Sequence, residues 1–244
     1  MKFRALILGV MAVGLFGGHT AQAQHQQESR HYNRQGRPYY RGALHVTLSG
    51  GTAFYNGDLG NNPGNTFPGP ALGLGVMHRL TPHLHLGGEL SYFEMGARDQ
   101  VKERNLAFTS TNGLGTVLFR FDLLPDESIF ASSIAEAPKF QVFLQGGAGL
   151  ILFDPRAYNG TERATDGTGF LAPERQDYAA LAGIAPVGAG FSVRLTEQLR
   201  VNLEGLYYLT TTDQLDDINK RLGGAGLNKD GFATVMLKLD YSLR

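Results

Sequence analysis

Three histidines, His78, His83 and His85, fall within one short stretch and have the side-chain chemistry to hold a metal ion. Side-chain alternation argues against it. On an extended backbone His83 and His85 lie opposite Leu84 and Leu86, whereas His78 shares the parity of Leu74 and Val76. Ligands on opposite faces of a sheet do not converge, so no metal is expected. The three are read as histidines of a strand end and its turn.

The stretch "DQLDDIN" carries Asp213, Asp216 and Asp217. Clustered carboxylates suit calcium, but the spacing is not that of an EF-hand loop and no Glu closes it. It is expected to be a solvated loop with local turn bonds. "YNGDLGNN", Tyr55 to Asn62, is a turn-forming run in which Asp58 and the asparagines can bond their own backbone. No nucleophile elbow, oxyanion-hole motif or phosphate-cradling glycine loop follows a strand and opens a helix. The chain is therefore read as non-enzymatic, with no catalytic residue and no cofactor.

The residues around these clusters say where the chain goes. Lys2 and Arg4 precede the apolar run Ala5 to Phe16, and "AQA" at 21–23 offers small residues for cleavage, so 1–23 reads as a secretory signal peptide. There is no cysteine, which excludes a lipid anchor at the cleavage site, a disulfide framework and a Cys metal site. Removing Lys2 and Arg4 from the 22 basic residues leaves 20 against 22 acidic ones, a balance that argues against nucleic acid as a partner. Residues 24–42 are polar, with Arg30, Arg34, Arg37 and Arg41 spaced through them, and are expected to form a peripheral arm.

From residue 43 to 244 the pattern is period two. "LRVNLEGLYYLT", Leu199 to Thr210, puts Leu199, Val201, Leu203, Tyr207 and Leu209 on one face and Arg200, Asn202, Glu204 and Thr210 on the other. Similar segments are expected near 43–55, 70–79, 83–95, 106–123, 139–152, 178–195 and 232–243. Tight turns ("LTPH", "TEQ") alternate with longer Gly-, Asn- and Asp-rich loops, and the connection 124–138 is longer than its place requires. The 33 glycines are about twice the average share and sit inside strands as well as turns, which suggests a crowded, curved sheet.

These features predict an all-β fold, an eight-stranded antiparallel transmembrane β-barrel of the bacterial outer membrane, with short turns and both chain ends in the periplasm. Apolar rows face lipid and lipopolysaccharide. Glu89, Arg120, Asp122, Arg194, Arg200, Glu204, Lys238 and Asp240 face the lumen. A barrel of this size is filled by its own side chains, and four acids facing four bases predict a plugged lumen instead of a wide pore.

"GGTAFYNGDLG", "MHRLTPHLHLGGELSY", "RNLAFTS" and "TTTDQLDDIN" occur in that order, with "PVGAGFSVRLTEQLRVNLEGLYY" before the last. Together they resemble the PorG-type outer-membrane β-barrels of Bacteroidetes, which are associated with type IX secretion. The likeness runs over most of the chain from about residue 43. It implies a non-enzymatic barrel that touches the periplasmic ring proteins PorK and PorN, with Asp58, Asp213, Asp216 and Asp217 at motif positions. The chain departs from that pattern at "ALH", where an acidic residue is expected, and at "TNGLG", where a Glu is expected.

The competing readings are an OmpA/OmpX-like barrel of structural or narrow-pore function and a lipopolysaccharide-modifying barrel enzyme. The enzyme would need His and Ser together near the outer rim, whereas the strand histidines cluster at the periplasmic end. A partner-contact surface is expected at Arg37, Arg41, Ile129 and Phe130, where apolar and aromatic side chains lie beside arginines in periplasmic segments.

Overall fold

The computed structural model describes residues 31–32, 38–39, 44–57, 59, 63–126, 138–218 and 229–243. Its strands are β1 (Leu44–Asn56), β2 (Thr66–Arg79), β3 (Leu84–Arg98), β4 (Leu106–Asp122), β5 (Phe140–Asn159), β6 (Ala180–Arg194), β7 (Leu199–Thr210) and β8 (Gly231–Leu243). Each pairs antiparallel with the next, and β8 returns to β1 from Leu44 opposite Leu243 to Asn56 opposite Gly231. The sheet therefore closes into an eight-stranded barrel with no open edge. In the stretch read as an arm, His31–Tyr32 pairs with Pro38–Tyr39. Arg37, Arg41, Asp58, Ile129, Phe130 and residues 1–23, read above as a leader, lie outside the described residues.

The barrel is inside out. Leu72 and Leu181, facing away from the lumen, are 61% and 63% exposed, and Val117, Leu144, Leu150 and Leu237 join them in a belt. A continuous apolar surface of this kind is stable only against lipid. The alternate positions point inward and are mostly buried. Short turns at 80–83 and 195–198 share one end with Leu123, Lys139, the start of β1 and the close of β8, which is the periplasmic end by the usual rule.

Strand interiors explain some of the glycine. A Cβ on Gly73 would stand 2.5 Å from Ser49 Oγ and 3.0 Å from Glu89 Oε1. One on Gly190 would stand 2.5 Å from the Phe143 ring. Both glycines leave lumen space for a larger neighbour. Pro68 and Pro70, which cannot donate to a ladder, sit at the register shift between Pro68 and Ala71.

Candidate functional site

The periplasmic half of the lumen holds several clusters of ion pairs and buried polar bonds. Lys238 of β8 lies between Glu89 of β3, with which it pairs, and Glu204 of β7, whose Oε1 is 2.7 Å from Nζ. Arg120 Nε donates to Asp122 Oδ1 at 2.7 Å, and the other oxygen of Asp122 is 3.0 Å from His85 Nε2. The Arg120 guanidinium also lies 3.8 Å from the centroid of Phe143. Asp240 accepts from the Thr47 hydroxyl at 2.7 Å and from the Asn202 amide at 2.6 Å. Each of these carboxylates is compensated, as a buried charge must be, since an unpaired one costs several kcal/mol.

One further carboxylate comes from outside the sheet. Asp126, the fourth residue of the β4–β5 connection, is fully buried. It lies 2.7 Å from Arg79 Nη2 and 3.3 Å from Arg200 Nη2, while its amide donates to the Pro82 carbonyl at 3.0 Å. The beginning of this connection thus folds across the periplasmic mouth.

The outer half of the lumen is aromatic. Tyr208 and Phe232 stack with centroids 4.4 Å apart, Phe93 stacks on Phe232 at 4.9 Å, and Tyr55 meets Phe108 edge-on at 4.7 Å. Leu215 and Ile218, from the β7–β8 loop, and Leu59, from the β1–β2 loop, are completely buried above this layer. The carboxylates of the loop hold it there. The Tyr55 hydroxyl donates to Asp230 Oδ1 at 2.6 Å and lies 2.9 Å from Asp216 Oδ2. Asp230 also accepts from the Leu215 amide at 2.9 Å, and Asp216 from the Ile218 amide at 3.1 Å. Asp217, at a φ of 59° that Asp tolerates better than most residues, accepts from the Tyr178 hydroxyl at 2.8 Å and from the Glu174 amide at 2.9 Å. Burial, reinforced by the Asp217 carboxylate, holds the Tyr178 hydroxyl well above the usual phenol range.

This corrects the reading of "DQLDDIN" as a solvated loop: Asp216 and Asp217 are buried, and the segment is a stopper. It also adds an aromatic layer to the charges expected in the lumen. Of the eight expected lumen charges, seven meet one another or a neutral lumen group. Arg194 is half-buried at the periplasmic rim, where its amide donates to the Lys139 carbonyl at 2.8 Å. The histidines separate: His85 enters the lumen, whereas His83 stacks on the outward-facing Phe121 at 5.4 Å and does not follow it. Among the described residues no group of three His, Asp or Glu is arranged to hold a metal.

Sequence reasoning missed Arg79, His85 as an ion-pair partner, Asp126 and Asp230. Arg79 was within reach, because its parity is opposite to that of His78. Asp126 and Asp230 lie in connections, where no alternation exists to read.

No family model matches the chain, and no curated protein matches it. Among solved structures, the attachment invasion locus protein Ail of Yersinia pestis is similar, at 11% identity and a TM-score of 0.45, over 83% of this chain and 99% of that one. A major outer membrane protein from Thermus thermophilus is similar at 12% identity and a TM-score of 0.44, over 82% of this chain and 100% of that one. Neisserial surface protein A gives 12%, 0.42, 82% and 97% for the same quantities. The closed wall, apolar belt and filled polar interior make this chain a bacterial outer-membrane β-barrel.

Proposed function

We propose that the protein is a non-enzymatic, closed outer-membrane barrel that acts as a structural accessory of type IX protein secretion and contacts periplasmic ring proteins of the PorK and PorN type. The observation that carries this reading is the double seal of the lumen. Ion pairs fill the periplasmic half and an aromatic layer under an acidic stopper fills the outer half. A barrel filled in this way acts through its surfaces and not through a passage.

The secretion role draws support from the segments that resemble PorG-type barrels. Far apart in sequence, three of them meet at the outer end: Tyr55 of "GGTAFYNGDLG" bonds Asp216 of "TTTDQLDDIN" and packs on Phe108 of "RNLAFTS". They behave as one built unit. The reading as a non-enzyme is supported by the strand-region histidines at 45, 78, 83 and 85, which all lie at the periplasmic end, away from the outer-leaflet surface that a lipopolysaccharide-modifying enzyme works on. The partner surface proposed is the connection carrying Ile129 and Phe130, whose start Asp126 anchors in the mouth, together with the arm carrying Arg37 and Arg41.

The test is mild detergent extraction followed by recovery of bound periplasmic proteins from wild type and from the Ile129→Ser, Phe130→Ser double variant. Ring proteins recovered with the wild type and lost with the variant are expected. Unchanged recovery with secretion intact removes this surface.

A further inference from the structure

Outside the barrel, near its outer end, lies a groove that the proposed secretion role does not use. Its floor is a row of directly paired residues across four strands: Phe67 of β2, Gly96 of β3, Thr109 of β4 and Arg156 of β5. The two middle positions are small and the flanking two are large, so the row is hollow at its centre. The segment after β5 supplies the other side. Arg163 donates to the Pro68 carbonyl, and Arg98 donates to the Thr161 carbonyl at 3.4 Å and to the Gly64 carbonyl at 3.1 Å. These bonds strap residues 161–170 across the outside of β3 and β4. Between strap and wall is a cavity of about 420 Å³, lined by Phe67, Thr109, Arg156, Arg163, Asp166 and Phe170 among others.

Its height on the wall gives it meaning. Leu90, Val117 and Leu150 belong to the exposed belt. Further toward the outer end the same outward rows become polar, at Glu94 on β3, Thr111 and Thr109 on β4, and Asp154 and Arg156 on β5. The groove therefore opens where hydrocarbon gives way to the headgroups of the outer leaflet. The Arg156 side chain is 59% exposed, 3.7 Å from Asp154, with its guanidinium 5.7 Å from the Phe170 ring centroid. Guanidinium groups bind phosphate with directed, charge-assisted hydrogen bonds. Phe67 and Phe170 give the lining apolar surface suited to a sugar ring, and Glu94 and Asp166 give it carboxylates able to accept from sugar hydroxyls. The volume falls within the range of ordinary small-ligand sites.

We propose that this groove binds the phosphorylated sugar headgroup of an outer-leaflet glycolipid, with Arg156 and Arg163 on the phosphate and Phe67 and Phe170 against the sugar. The site is independent of any periplasmic partner, so its failure leaves the secretion role untouched.

The probe is bis-phosphorylated lipid A, titrated calorimetrically into the mature full-length protein in a zwitterionic detergent. Replacing Arg156→Gln and Arg163→Gln together is expected to weaken binding by roughly a hundredfold, about tenfold for each charged contact. Dephosphorylated lipid A should show a comparable loss on the wild type. A second variant, Thr109→Leu, fills the floor while keeping both arginines and should also lose binding. Unchanged affinity in both variants, each shown to be folded by heat-modifiable migration on a gel, overturns the proposal. Displacement of lipid A by millimolar inorganic phosphate assigns the arginines to a free anion and overturns the lipid assignment.

Discussion

Asp126, which belongs to a connection and not to a strand, reaches into the barrel to within 2.7 Å of Arg79 Nη2. The pair joins the loop after β4 to the last residue of β2, across the mouth. Arg200 of β7 lies on the other side of the same carboxylate at 3.3 Å. Removing the carboxylate leaves two buried guanidinium groups facing each other. Asp126→Ala is expected to lower stability by about 3–5 kcal/mol. Urea unfolding in detergent, followed by circular dichroism, checks this; an unshifted midpoint would show that water reaches both arginines.

Lys238 holds Glu89 and Glu204 together by pairing with both. Lys238→Met should destabilise the barrel by several kcal/mol, since two acids would then share a dry site. The double change Lys238→Met with Glu204→Gln should recover much of that loss. A double variant as unstable as the single one would mean that shape, and not charge, decides at this position.

At the outer end, Tyr55→Phe removes the hydroxyl that meets Asp230 and Asp216. The expected cost is about 1–3 kcal/mol, borne mostly by the stopper and not by the wall. Limited proteolysis should therefore cut the β7–β8 loop faster while the barrel keeps its heat-modifiable migration. Equal cleavage rates in the two proteins would count against the hydroxyl as the loop's anchor.

The two seals predict the electrical behaviour. In planar bilayers the purified wild type should give no stable conductance of porin scale, because a barrel of this size is filled by its own side chains. Large, reproducible steps from the wild type would refute the plug.

Much of the wall was legible because its alternation survives the whole membrane thickness. β7 runs over Leu199–Thr210 as the pattern predicts, and its inward Asn202 and Glu204 are buried. β5 shows why other limits were misjudged. The expected strand stops near residue 152, yet β5 continues to Asn159. Beyond Leu152 the period is still two but its sign reverses: Asp154 and Arg156 face out, while Phe153 and Ala157 are fully buried inside. The wall has left the lipid there, so water takes the outer face and the aromatic layer takes the inner one. β3 reverses in the same way, with Phe93 and Met95 buried and Glu94 outside. A reading that assigns each face one polarity ends these strands too early. The stopper was hidden for a different reason. Its aspartates are polar by type and buried only because Tyr55, Tyr178 and the Glu174 amide, all from distant segments, meet them.

The seam between β1 and β8 bears on how the protein is made. Leu44 pairs with Leu243, so the wall is completed by the two strands farthest apart along the described chain. Without that pairing, β1 and β8 would each present an edge of amides and carbonyls that the bilayer cannot satisfy. Contacts between such remote segments also form slowly. A wall lacking this pair would therefore be unstable in lipid, and the barrel is fit for the bilayer only once it is closed. The step that commits it to the membrane is the zipping of this last pair.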